Sequence, residues 1–189
     1  MSKRYITANE LLEDAFTLAI DILDSGFRPS FIVAVWRGGT PIGIAVQEVL
    51  ELCGVQTRHI AVRTSSYSGI DQREKQVRVH GLAYVIDTIN SDDSLLIIDD
   101  VHDSGRSVAE LIRQIKTRAD DRAPAEIKVA TIYYKPGRSE VIEKPDYYLH
   151  ETDDWLVFPH ELAGLSMEEL REQKPGVSHM LDKLTAYID

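Results

Sequence analysis

Hydrophobic positions along the chain fall into alternating periods. From Thr7 to Ser25, Leu11, Leu12, Ala15, Leu18, Ala19 and Ile22 lie on one stripe, which predicts an amphipathic helix. Thr7 and Glu10 have the spacing of a capping box at its start, and Gly26 ends it. Phe31-Ile-Val-Ala-Val35 is a short run rich in branched residues, the pattern of a strand covered on both faces. Arg37-Gly38-Gly39 then leads into a second helical stretch from about Thr40 to Leu52, and Gln56 to Val62 is a candidate strand. Leu95-Leu-Ile-Ile98 is the most strand-like run of all. After Asp99 to Gly105, a helix is expected through about Arg118, burying Val108, Leu111, Ile112 and Ile115. Ile127 to Tyr134 reads as a further strand and Tyr147 to Leu149 as another candidate. Between these elements, Arg63 to Gly81 is polar and lacks a sustained apolar period. It is expected to be a long loop of the functional or mobile kind.

Strands alternating with helices imply an α/β fold: a mainly parallel, twisted sheet flanked by helices, with right-handed crossovers. No internal repeat or low-complexity tract interrupts the pattern. Residues after about Lys135 carry Pro136, Pro145, Pro159 and Pro175 and read as a less regular appendage near the site. The 189 residues are therefore expected to form a single domain. Roughly, residues 1–25 would contribute a helix and residues 136–189 a small hood.

Composition narrows the class. The chain is 43% hydrophobic and 28% charged, enough apolar surface for a core. Its 31 Asp and Glu against 21 Lys and Arg leave a net charge of −10, which argues against nucleic-acid partners. No run approaches the roughly 18 apolar residues of a membrane span. Glu10, Glu13 and Asp14 interrupt what would have to be a secretory apolar segment. The single cysteine, Cys53, excludes an intramolecular disulfide and a multi-cysteine metal site. A soluble cytoplasmic protein is the expectation, with no membrane partner.

Ligands on parallel sheets lie beyond the carboxyl ends of the strands. Three polar segments fall there: Arg37 to Thr40, Asp99 to Ser107, and Lys135 to Arg138. In the second, two adjacent carboxylates end a buried strand, and Asp103 opens a small-residue turn that runs into a helix. Unpaired N–H groups and a partial positive charge at a helix start suit a phosphate. Ser104 and Ser107 add hydroxyls, and Gly105 lets the backbone come close. The acidic pair suits vicinal sugar hydroxyls, or a magnesium ion held between sugar and phosphates. Taken singly, the same residues also make an N-cap, a turn and a solvated strand end.

The whole segment resembles the phosphoribosyl-pyrophosphate (PRPP) signature of the type I phosphoribosyltransferases: a hydrophobic strand, two acidic residues, two variable positions, then Asp-Ser/Thr-Gly-x-Ser/Thr. Every position matches. The resemblance implies that Asp99 and Asp100 hold the ribose hydroxyls, with Asp100 near the metal, Mg2+. It places the 5′-phosphate on Asp103, Ser104, Gly105, Arg106 and Ser107. Arg37-Gly38-Gly39 has the form of the family's pyrophosphate loop, often built with a strained or cis peptide. Ser66, Tyr67 and Arg73 sit in a segment similar to its flexible lid, which shuts out water, and are read as PRPP contacts.

Lys135-Pro136 after a strand, with Trp155-Leu156-Val157-Phe158-Pro159-His160-Glu161 about twenty residues on, resembles the 6-oxopurine branch, the bacterial xanthine-guanine enzymes above all. From composition alone Lys135 reads as a surface charge and Trp155 as core packing. By resemblance Lys135 reads O6 of the purine, Trp155 stacks on the ring, and the Leu156 backbone and Glu161 meet the base. His160 stands where those enzymes carry an aromatic residue, and Glu161 where they carry aspartate. The other histidines, His102 included, form no spaced metal set and read as incidental.

The implied activity is transfer of phosphoribose from PRPP to hypoxanthine, guanine or xanthine. Asp103 is the candidate general base near N7, or a hydrogen-bond acceptor only. A phosphoribosyltransferase for another base and a non-catalytic PRPP or nucleotide sensor are the rivals. Self-association as a homodimer or homotetramer is implied as well.

Overall fold

The apolar run at Phe31 lies in the middle of a six-stranded sheet. In the computed structural model, residues 3–68 and 75–187 are described. The elements are β1 (Lys3–Tyr5), α1 (Ala8–Asp24), β2 (Phe31–Trp36), α2 (Gly39–Leu52), β3 (Arg58–Ser68) and β4 (Lys75–His80). There follow α3 (Ala83–Thr88), β5 (Ser94–His102), α4 (Arg106–Ala119), β6 (Glu126–Tyr134) and β7 (Tyr147–Glu151). The last are β8 (Trp155–Val157), α5 (Met167–Gln173), α6 (Pro175–Ser178) and α7 (Leu181–Leu184).

Residues 12 to 153 form one compact unit around the sheet, in the order β4-β3-β2-β5-β6-β7. Every pairing is parallel except β3 with β4. The chain leaves β2 toward β3 on one side and returns to β5 on the other. That reversal opens a crevice at the carboxyl ends of β2 and β5. Phe31, Val33 and Val35 face a core shared with Leu82, Val85 and Ile89 around α3 and with Val108, Leu111 and Ile115 of α4. On the opposite face α2 packs on β2. A Cβ at Gly43 would stand 2.9 Å from that of Ala34, so only glycine admits this approach. At the far edge, Asp14 and Ser25 of the α1 region bond His150 (2.9 Å) and Tyr147 (2.7 Å) of β7.

Three expectations change. The Arg63–Gly81 stretch is not an irregular loop as far as it is described. It forms a hairpin, with Arg63 opposite His80 and Ser68 opposite Lys75. An edge hairpin is held by its backbone ladder and has little to bury, so it shows little apolar patterning. Likewise, β5 does not stop at Ile98 but runs on to His102, pairing Asp99 with Thr131 and Val101 with Tyr133. The two carboxylates thus lie within a ladder, partly buried. Third, the tail after Leu162 is helical rather than irregular. Ser166 caps α5 by accepting from Glu169 N (3.1 Å), and Glu169 accepts from Ser166 N (2.8 Å). The expected Thr7–Glu10 box forms at α1, at 2.8 and 3.2 Å.

Residues up to Leu11 and from Asp154 onward form a second compact unit. There β1 and β8 make a two-stranded parallel sheet, with Lys3 opposite Trp155 and Tyr5 opposite Val157. Glu169 ties α5 to β1 through Lys3 and the Tyr5 hydroxyl. Among the described residues no helix is long and apolar enough to cross a membrane.

Candidate functional site

The β2–β5 register brings the Arg37–Gly39 loop against the end of β5, because Ala34 lies opposite Ile98. The Trp36–Arg37 peptide is cis. A Cβ on Gly38 would fall 1.6 Å from Asp100 Oδ2, and one on Gly39 2.3 Å from the Ile98 carbonyl oxygen. Both glycines are therefore required by the protein's own packing, whatever ligand the loop meets. Asp99 accepts from Asp100 N (3.0 Å) and Asp100 from Val101 N (2.8 Å). Burial, then the neighbouring Asp100 carboxylate, pushes the Asp99 carboxyl well above the usual range.

Beyond β5 the chain turns at Gly105, whose φ of +77° few other residues adopt, and enters α4. A Cβ there would also stand 2.3 Å from Val141 Cγ2 and 2.5 Å from His102 Nε2. Ser104 Oγ accepts from Arg106 N at 3.4 Å. The Asp103 carboxylate is flanked by two cations, with Arg138 Nε 3.1 Å from Oδ1 and Lys135 Nζ 3.5 Å from Oδ2. Lys135 is only 4% exposed, so the surface-charge reading fails. Its backbone N donates to the His102 carbonyl (3.0 Å), which fixes the 135–139 turn beside the loop. A cavity of about 340 Å³ lies over this turn, lined by Asp103, Ser104, Arg106, Ser107, Arg138 and Glu140, with Val77 of β4. Arg106 and Glu140 form an ion pair there.

Ser66 and Tyr67 lie on β3, opposite Val77 and Gln76. Arg73 lies outside the described residues. In the smaller unit Trp155 is half-exposed, at 51%, while Leu156 is buried opposite Arg4. Glu161 Oε2 accepts from Phe158 N (3.0 Å), and Glu161 N donates to the Phe158 carbonyl (2.9 Å). The same carbonyl accepts from the buried Lys174 ammonium. Burial pulls Lys174 down from the ordinary lysine value, with Glu161 opposing the shift.

The profile of the phosphoribosyl transferase domain family matches residues 3–165. The chain belongs to that family. Among solved structures, the purine phosphoribosyltransferase from Pyrococcus horikoshii is 26% identical, with a TM-score of 0.69 over 88% of this chain and 99% of that one. A hypothetical protein from Neisseria gonorrhoeae with bound ppGpp is 18% identical, with a TM-score of 0.70 over 93% and 97%. The Helicobacter pylori xanthine-guanine-hypoxanthine phosphoribosyltransferase is 18% identical, with a TM-score of 0.65 over 83% and 92%. These last two speak for the fold alone. No protein of curated function matches the sequence.

The six-stranded sheet with helices on both faces is thus the type I phosphoribosyltransferase fold. In this family frame, the structure brings Arg37, Gly38 and Gly39 to Asp99 and Asp100, and Asp103 to Lys135. Trp155, Leu156 and Glu161 belong to the smaller unit. Arg138 and Glu140 escaped the sequence reading. The signal for Arg138 was present, since the Lys135–Arg138 segment stands at a strand end.

Proposed function

We propose that this phosphoribosyltransferase moves 5-phosphoribose from PRPP to N9 of a 6-oxopurine (hypoxanthine, guanine or xanthine), giving a nucleoside monophosphate and pyrophosphate. The observation that carries the reading is Asp103, on the signature turn, facing the buried Lys135 at 3.5 Å. A group suited to a purine carbonyl and a group suited to its ring nitrogen stand on two strand ends of one crevice. The 26% identity with a purine phosphoribosyltransferase over 88% of the chain supports a purine acceptor.

In this reading Asp99 and Asp100 take the ribose hydroxyls, and the N–H groups and hydroxyls of Ser104 to Ser107 take the 5′-phosphate. Arg106 and Arg138 supply positive charge at that cavity. Arg37, with the Gly38 and Gly39 backbone, holds the departing pyrophosphate. Ser66, Tyr67 and Arg73 complete the PRPP contacts. Lys135 donates to O6, and its burial leaves the ammonium few competitors in water. Trp155 offers a flat face for the ring, with the Leu156 backbone and Glu161 at the base edge. Asp103, oriented by Lys135 and Arg138, takes or relays the purine proton. Positioning and exclusion of water then favour attack on the developing sugar cation.

Magnesium fits the acidic pair. Its hard oxygen donors suit the ion. Asp100 would hold the ion on the protein side, with substrate oxygens and water as its other ligands. Bound there, it would neutralise charge on the leaving pyrophosphate.

The test is purified protein with Mg2+, PRPP and hypoxanthine, guanine or xanthine, followed by product absorbance and pyrophosphate release. Turnover with at least one of them is expected. PRPP binding with no pyrophosphate from any base would instead make the protein a sensor. Turnover with adenine, orotate or uracil alone would move it to another branch. A dimer or tetramer belongs to the same reading, and light scattering measures it.

A further inference from the structure

The cavity over the signature turn is lined by as many carboxylates as guanidiniums: Asp103 and Glu140 against Arg106 and Arg138. The four are already joined in pairs, Arg138 with Asp103 at 3.1 Å and Arg106 with Glu140. A phosphate that enters therefore finds both arginines engaged. Asp103 has a part in the chemistry proposed above, between Arg138 and Lys135. Glu140 has none, and a carboxylate that lines a space suited to an anion opposes the anion's binding there.

The backbone sets its place. Glu140 N donates to the Ser104 carbonyl (3.0 Å), while Arg138 N and Ser139 N both donate to the Lys135 carbonyl (3.1 Å each). These bonds hold residue 140 beside the phosphate loop whatever its side chain does. The Arg106 and Glu140 side chains are each about half exposed, so water screens the pair and parting it costs little. A phosphate dianion carries more charge than a carboxylate and offers three acceptor oxygens, so it competes well for the guanidinium.

We propose that Glu140 is an internal competitor for the phosphate subsite: it holds Arg106 while the cavity is empty and yields it when a 5′-phosphate binds. This role rests on the 5′-phosphate lying at the Ser104–Ser107 turn, as read above. The exchange keeps the guanidinium at the cavity between turnovers. It also lowers the affinity for every ligand carrying that phosphate, PRPP and product nucleotide alike. Glu140 is a positioning residue that acts through Arg106.

Calorimetric titration of the full chain with ribose 5-phosphate tests it, because that ligand carries the phosphate without the pyrophosphate or the base. Glu140→Gln keeps the shape and the backbone bond, and should tighten binding roughly fivefold, with the gain shrinking as salt is raised. Glu143→Gln removes an exposed carboxylate from outside this cavity and should leave the affinity unchanged. Arg106→Met should weaken binding. Glu140→Gln added to it should gain clearly less than in the parent, since no guanidinium is left to release. In steady-state assays Glu140→Gln should lower KM for PRPP by a similar factor without raising kcat. If Arg106→Met weakens binding but Glu140→Gln does not tighten it, the competitor role fails and the phosphate subsite stands. An equal gain with and without Arg106 overturns the role as well. No binding to the parent or to Glu140→Gln, or no loss in Arg106→Met, would overturn the subsite and the role together.

Discussion

Asp103 concentrates the chemistry of the site in one side chain, with Arg138 on one oxygen and Lys135 on the other. Removing its basicity without its shape isolates that chemistry. Asp103→Asn should lower turnover by on the order of 10²-fold or more while PRPP binding survives, as steady-state rates beside PRPP titration will show. Turnover equal to the parent's would remove Asp103 from proton transfer. Gly38 carries a different constraint. Gly38→Ala would drive a methyl group into the Asp100 carboxylate, so a loss of roughly 1–3 kcal/mol is expected in urea unfolding. The residue types at both places were legible in the sequence, but their neighbours were not. Two adjacent glycines signal close approach. Only the β2–β5 register shows that the approach is to Asp100 first. The burial of Lys135 was equally hidden, because a lysine at a strand tip reads as solvated until the following turn folds against it.

At the scale of elements, runs buried on both faces were readable, as was the edge strand β7, while the β3–β4 hairpin was not. β2, β5 and β6 announce themselves as branched apolar runs because helices cover them. The β3–β4 hairpin rests on a backbone ladder that polar residues form as readily as apolar ones. In α5 the pattern Ser166-Met-Glu-Glu169 was a capping box in plain view, and Ser166→Ala should cost about 1 kcal/mol by thermal or chemical unfolding. Asp93 ties three strand entrances together. It accepts from Ser30 Oγ (2.7 Å), from Asn90 N (2.8 Å) and from the Arg58 guanidinium. Burial alone would raise its carboxyl, but the Ser30, Arg58 and Asn90 hydrogen bonds outweigh it and hold the group below the ordinary aspartate value. The folded state therefore binds this proton less readily than the unfolded chain. The stabilisation is complete above the unfolded aspartate value and is lost as pH falls through the lower, folded one. Asp93→Asn should cost roughly 2 kcal/mol at pH 7 and flatten the acid limb of the stability–pH curve. An acid limb identical to the parent's would contradict that role.

Across the whole chain, the alternation of strand and helix made the α/β architecture legible, and the family profile over residues 3–165 agrees with it. The division into two units was not legible. It depends on β1 and β8, three residues each, pairing across some 150 positions of sequence that no local pattern links. The smaller unit carries the indole and Glu161, and its Phe158 carbonyl is held by Lys174. Lys174→Met should therefore alter KM for the base more than KM for PRPP, since the signature turn belongs to the other unit. Equal changes in both constants would separate Lys174 from base recognition.

A crystal structure with inosine monophosphate bears most directly on the central claim. We expect the 5′-phosphate on the Ser104–Ser107 turn, the ribose hydroxyls at Asp99 and Asp100, and O6 within hydrogen-bond distance of Lys135 Nζ. A nucleotide bound elsewhere on the protein, with that turn empty, would contradict it.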